Sequence, residues 1–234
     1  MLQKGAGWSI CVNDRELFSF ADERQLGLGM LHAARSLVYA EGGYDVAFHA
    51  GMVAKNDFGM MLCAPREAGK STLAAYLTAQ KFDFVADEPA LLDLSSGTVA
   101  PLRLPISLKE GSWAALQHQW PELATALVHV RSDGTRIRLA HPENPPSQPR
   151  RVTQIVFPRY KPDVAPELEL LSPLQTLQLL HDGGMLLAKS FSREQFELLL
   201  EWLMGIQGYR MQYASLEEAR RMLEQSSNVF RISQ

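Results

Sequence analysis

The chain has 234 residues, 46% apolar and 21% charged, a balance that excludes a disordered or fibrous protein and fits one large domain or one with an appendage. Its 23 basic and 26 acidic residues leave a net charge of −3, which argues against a general nucleic-acid binder but not against one bound polyanion. Two cysteines, Cys11 and Cys63, cannot build a disulfide scaffold. The first residues lack the apolar core and cleavage site of a signal peptide, and no uncharged run reaches the roughly 18 residues of a membrane span. The expectation is a cytoplasmic protein with no membrane partner.

In chain order, Trp8 to Val12 and Leu17 to Phe20 read as strands, followed by a helix around Leu28 to Tyr39 and a turn at Glu41-Gly42-Gly43. Asp45 to Ala54 is apolar and extended. Phe58 to Ala64 reads as a buried strand, Lys70 to Lys81 as a helix, and Phe82 to Ala86 as a short strand ending at Asp87. Ala90 to Leu94 and Thr98 to Leu102 form a strand pair about Ser95-Ser96-Gly97. Ser112 to Ala126 is helical in composition with an interruption at Pro121, and Asp133-Gly134 signals a hairpin between Leu127–Val130 and Thr135–Leu139. The prolines between His141 and Pro149 demand a loop, and Val152 to Phe157 is a buried strand. Ser172 with Gln175, Ser192 with Gln195 and Ser215 with Glu218 are capping boxes that start three helices, with a strand at Tyr209 to Tyr213 between the last two. Alternating strands and helices predict an α/β or mixed α+β fold.

The sharpest chemistry lies in Ala64-Pro65-Arg66-Glu67-Ala68-Gly69-Lys70-Ser71-Thr72, a P-loop pattern with alanine in place of its first glycine. A strand delivers the chain to a loop whose N–H groups converge on phosphates, and the next helix points its positive end at them. Gly69 allows close approach, Lys70 would reach the β- and γ-phosphates, and the Ser71 hydroxyl would serve Mg²⁺. The plain alternative is a helix-start glycine followed by a solvated lysine.

Asp87-Glu88 closes the next strand, and an acid there lies near the metal of a phosphate site. In an ATPase one carboxylate holds metal and the other orients water, whereas in a kinase one accepts a hydroxyl proton. An acid on the strand directly after the P-loop helix favours the kinase. His49, upstream on an apolar strand, could orient a carboxylate or simply belong to the core. Cys63 reads as a buried strand residue, and the histidines and cysteines lack the spacing of a zinc site.

Together these residues resemble the HPr kinase/phosphorylase family, and more closely its shorter HPr-kinase-related serine kinases. The likeness runs from His49-Ala50-Gly51 through Ala64–Ser71 to Val85-Ala86-Asp87-Glu88 with matching gaps. Pro105-Ile106-Ser107-Leu108-Lys109 and Ile155-Val156-Phe157-Pro158-Arg159-Tyr160 look like further blocks of the subgroup. The resemblance implies a P-loop kinase core of the HPr kinase and phosphoenolpyruvate carboxykinase-like type over residues 45–234, with residues 1–44 as a short N-terminal extension packed on it. It implies ATP- and Mg²⁺-dependent phosphorylation of a serine hydroxyl on a peptide or small protein. By position, Asp87 would be the catalytic acid/base with His49 against it, and Glu88 would assist Ser71 in holding Mg²⁺. Lys109, Arg136 and Arg159 are weaker candidates for phosphate or substrate contacts. The large N-terminal domain of the bifunctional relatives and their signature after the carboxylates have no counterpart here, so neither phosphorylase activity nor HPr as substrate is implied. The full-length relatives are oligomers, which leaves room for a homo-oligomer. A small-molecule hydroxyl kinase and a nucleotide-binding regulator without catalysis remain as alternatives.

Overall fold

The computed structural model describes residues 2–4, 7–20, 22, 25–65, 67–143 and 146–232. In chain order it opens with an antiparallel meander, β1 (Leu2–Lys4), β2 (Gly7–Val12) and β3 (Arg15–Phe20), followed by α1 (Leu26–Glu41). Next come β4 (Val46–Phe48), β5 (Ala50–Lys55), β6 (Phe58–Cys63), α2 (Lys70–Ala79) and β7 (Asp83–Asp87). β8 (Ala90–Asp93), β9 (Thr98–Val99) and β10 (Ile106–Lys109) lead into α3 (Glu110–Leu116), β11 (His129–Val130) and β12 (Arg136–Ala140). The chain continues through β13 (Arg150–Arg151), β14 (Gln154–Tyr160), β15 (Glu167–Leu171) and α4 (Pro173–Asp182). It finishes with β16 (Met185–Leu187), α5 (Arg193–Met204), β17 (Gln207–Tyr213) and α6 (Leu216–Ile232). The fold is mixed α/β and divides into two compact units, each made from two separated stretches of chain.

One unit comprises residues 1–43 and 104–141. Here the Phe18 ring of β3 stacks on the His32 ring of α1 at 5.6 Å. β10, β12 and β11 form a second small sheet. The β11–β12 turn is closed as Asp133-Gly134 leads one to expect: Asp133 Oδ1 accepts from the Thr135 amide at 2.9 Å, and Gly134 takes a φ of +80°. The expected helix from Ser112 to Ala126 is divided instead into α3 and a 3₁₀ turn, Pro121–Ala124. Proline has no N–H to give to a continuing helix but suits the first position of a new turn.

The other unit, residues 44–103 and 142–234, holds two sheets. The larger runs β15-β17-β14-β6-β5-β7 and the smaller β13-β9-β8-β4-β16. Asp45 to Ala54, one extended stretch by its composition, breaks at His49: β4 joins the smaller sheet and β5 the larger. The central strands of the six-stranded sheet are apolar on both faces. Met52, Ala54, Met61, Cys63, Ile155 and Phe157 turn toward a core shared with the smaller sheet, α4 and α5. Val53, Met60, Leu62, Val156 and Met211 turn toward α2 and α6. Strands of this kind read as continuous apolar runs because neither face meets water.

Two of the serine caps form complete capping boxes, at Ser172 with Gln175 and at Ser192 with Gln195. At the third, the Glu218 amide donates to Ser215 Oγ at 3.2 Å and the Ser215 amide to Glu218 Oε2 at 3.0 Å. α6 is tied down by charge as well as by its apolar face. Arg220 and the Tyr76 hydroxyl of α2 both donate to Glu217, and Lys55 of β5 pairs with Glu224 at 3.0 Å. Hydrogen bonds from Arg220, then Tyr76 and Arg221, hold the Glu217 carboxyl at about 2 rather than the usual 4.5. A carboxyl lowered on folding stabilises the fold fully above its unfolded pKa and loses that contribution as pH falls through its folded one. The melting-temperature advantage of the wild type over Glu217→Gln is therefore expected to shrink between about pH 4.5 and 2 in a circular-dichroism series. An advantage that stays constant across that window would refute this account.

Gly59 on β6 is a point of close backbone approach. A Cβ there would lie 2.0 Å from the Arg151 carbonyl oxygen and 2.7 Å from Met52 Cε. The Gly59 carbonyl in turn accepts from the Thr153 amide at 2.8 Å. Since backbone cannot rotate away as a side chain can, Gly59→Ala is expected to destabilise the protein by about 3 kcal/mol, measurable by urea unfolding.

Candidate functional site

β6 carries the chain into the loop at residues 64–69, and α2 begins at Lys70. Gly69 precedes the helix with a φ of +90°, a conformation that L side chains resist. The position is also closely packed, since an added Cβ would come within 2.9 Å of the Tyr213 hydroxyl. Ala64 is buried at the strand end, while Pro65 and Glu67 are exposed, Glu67 with a φ of +72°. Arg66 lies outside the described residues. The loop is braced by the Ala68 amide donating to Pro65 O at 3.4 Å and the Tyr160 amide donating to Ala68 O at 3.4 Å. The Leu73 amide donates to Gly69 O at 2.9 Å, starting the helical ladder. Ala64 thus replaces the pattern's glycine at a position that shows no positive φ.

Lys70 is only 6% exposed, and among the described residues its ammonium forms no hydrogen bond or ion pair. With its stem buried and its ammonium unpartnered, Lys70 is placed to attract an anion that reaches the loop. Its field is felt at Cys63: burial pushes that thiol up to about 12, and the Lys70 charge pulls the other way. Cys63 is therefore a neutral core residue and not a nucleophile at ordinary pH. Thr72 occupies the first turn of α2, half-buried.

Ser71 Oγ donates to Asp87 Oδ1 at 3.1 Å, which joins the first turn of α2 to the end of β7. Asp87 is 2% exposed. The next residue, Glu88, takes a φ of +54°, rare for a side-chain-bearing residue, and its amide donates to Ala50 O at 2.9 Å. Glu88 Oε1 lies 2.7 Å from His49 Nδ1, both side chains half-buried. The His49 amide donates to Gly184 O at 3.2 Å, fixing the histidine where the chain passes between the two sheets. The loop, Ser71, Asp87, Glu88 and His49 are thus gathered at one edge of the six-stranded sheet. Expectation coupled His49 to Asp87 and Ser71 to Glu88; the bonds described here join His49 to Glu88 and Ser71 to Asp87.

The three weaker candidates part company. Arg159 is exposed near the end of β14. Lys109 and Arg136 belong to the other unit, where Lys109 flanks α3 and Arg136 pairs with Glu110 at 2.6 Å and overlies the Trp113 ring at 5.8 Å. Two residues not singled out by sequence, Tyr160 and Tyr213, pack against the phosphate-type loop, their ring centroids 5.8 Å apart. Burial raises the Tyr213 phenol well above its usual range, so it stays protonated. The available signal was slight, a tyrosine closing each of two strands.

Among the described residues no group of three or more His, Cys, Asp or Glu side chains could hold a metal ion. A structural zinc needs such a group, whereas Mg²⁺ at a nucleotide takes one or two protein oxygens and fills its shell with phosphate and water. The Ser71 hydroxyl and the Asp87 carboxylate are hard oxygen atoms 3.1 Å apart. No helix among the described residues is long and apolar enough to cross a membrane.

No protein-family model matches the sequence, and no curated protein does. Among solved structures, the Hpr(Ser) kinase/phosphatase from Coxiella burnetii is similar at 10% identity and a TM-score of 0.31, over 80% of this chain and 97% of that one. A likeness that slight and at that identity sets neither the fold nor the chemistry of this chain.

Proposed function

We propose that this protein is an ATP- and Mg²⁺-dependent kinase that transfers the γ-phosphoryl group to a serine hydroxyl of a peptide or small protein. The observation that carries this reading is Lys70, whose side chain is largely buried and whose ammonium has no counter-charge among the described residues, at the start of a helix that follows a strand and a tight loop. Lys70 would hold the phosphates with the amides of residues 67–70 and the positive end of α2. Ser71, with Glu88, would hold Mg²⁺, which when bound neutralises charge on the transferring phosphoryl group.

Asp87 supplies the base. It accepts the hydrogen bond from Ser71 Oγ, and the same carboxylate oxygens would accept the proton of an incoming hydroxyl. His49 would position Glu88 by holding its carboxylate, leaving Asp87 to the acceptor. The bond that forms joins the acceptor oxygen to phosphorus, the bond that breaks is the one to the β-phosphate bridge, and the released proton goes to Asp87. Burial of Asp87 keeps competing water from the carboxylate.

The test is phosphotransfer from radiolabelled ATP with Mg²⁺ to a panel of serine-containing peptides and hydroxyl metabolites. Label on peptide serine supports the proposal. Label on metabolites alone replaces the acceptor class, and ATP binding without transfer to any acceptor turns the reading into that of a regulator.

A further inference from the structure

The two sides of the candidate phosphate loop differ in chemistry. In the six-stranded sheet β6 runs parallel to β14, and β14 to β17; β7 also runs in the direction of β6, because β5 is antiparallel to both. The carboxyl ends of β6, β7, β14 and β17 therefore share one sheet edge, where open α/β sheets hold their ligands. On the β7 side stand Asp87 and its hydrogen bond to Ser71. On the other side β14 ends in Tyr160 and β17 in Tyr213.

Tyr160 is a large aromatic left 52% exposed beside this loop. Its Cβ lies 3.6 Å from the point a Gly69 Cβ would occupy, and its amide is bonded to Ala68 O. The ring does not swing freely, since Tyr213, 1% exposed, backs it at 5.8 Å with the planes tilted by 56°. The strands β14 and β7 are three inter-strand spacings apart, about 14 Å. A nucleotide whose phosphates cross the end of β6 with the terminal one toward Asp87 must direct its nucleoside toward β14.

We propose that Tyr160, backed by Tyr213, is the platform on which the nucleobase of the bound nucleoside triphosphate stacks. This rests on the phosphate-loop reading and adds the element that distinguishes a nucleotide from bare polyphosphate. Stacking on a single aromatic face reads area and not base edges, so purines are favoured over pyrimidines while adenine and guanine are little distinguished.

The experiment measures equilibrium binding of Mg²⁺-ATP and of Mg²⁺-tripolyphosphate to the full chain and to Tyr160→Ala, Tyr160→Phe and Lys70→Ala. Tyr160→Ala is expected to weaken ATP binding by about 5- to 100-fold while leaving tripolyphosphate within about twofold, and Tyr160→Phe to restore ATP binding. Equal loss of both ligands in Tyr160→Ala would mean that the tyrosine only supports the loop, and loss of neither that no base stacks there; either overturns the platform. If tripolyphosphate fails to bind the wild type, or binds Lys70→Ala unchanged, the phosphate loop itself is wrongly assigned and the platform falls with it. Because the first pair of failures spares tripolyphosphate's dependence on Lys70, the two kinds of failure are distinguishable.

Discussion

Replacing Lys70 by alanine is expected to reduce ATP affinity by about 10- to 150-fold, the worth of one charge-assisted contact, without lowering the melting temperature of the ligand-free protein. The two halves of this expectation have one cause. Lys70 is 6% exposed and, among the described residues, has no ion-pair or hydrogen-bond partner, so in the empty protein its charge adds no bond to the fold. Removing it takes no bond from the free form and removes the attraction in the bound form. An ordinary structural lysine would behave oppositely, with stability falling and ligand affinity unchanged. Titration calorimetry with ATP and thermal unfolding of the same two samples separate these outcomes.

Asp87→Asn is expected to lower the phosphotransfer rate by about 10²- to 10⁴-fold, with ATP affinity changed by much less. Asparagine matches aspartate in shape, and its Oδ1 can still accept from Ser71, so the end of β7 keeps its packing at a site that is 2% exposed. What disappears is the ability to take a proton from the acceptor hydroxyl. Single-turnover transfer measured beside ATP binding reads the difference directly. A variant that transfers at the wild-type rate would remove Asp87 from the role of base and direct attention to Glu88, whose carboxylate holds His49.

The parts of this site that were legible in sequence are those fixed by local chain order. A strand, a glycine turn and an alanine-rich helix put Gly69, Lys70 and Ser71 where short-range geometry demands, and the apolar run before Asp87 delivers it to a strand end. The serine caps were equally legible, because a capping box needs only residues three apart. The pairing of His49 with Glu88 was not. It depends on the chain leaving one sheet and entering another at His49, and on a left-handed backbone at Glu88, neither of which has a periodic signature. Tyr160 and Tyr213 were hidden for a related reason. At the end of a strand whose other residues are partly core, an aromatic residue looks like more core until the neighbouring strand is known. Two strands, β13 and β16, span two and three residues, too short for any alternation to register. β15 alternates glutamate with leucine in only five residues.

The division of the chain bears on how the protein can be made and taken apart. Each unit draws on two stretches of chain, 1–43 with 104–141 and 44–103 with 142–234, so the polypeptide passes from one to the other three times. During synthesis the first stretch emerges well before the segment it belongs with, and the strands that end in Tyr160 and Tyr213 emerge after both. The first unit can be complete before the second, yet the second starts to form while the first still waits for its later half. No single cleavage frees either unit whole, and a fragment ending near residue 100 contains Lys70, Ser71 and Asp87 but lacks β14, β15 and β17, three strands of their sheet. Expression of such a fragment would present the phosphate-type loop on an unfinished sheet, with the apolar edge of β6 open to other chains.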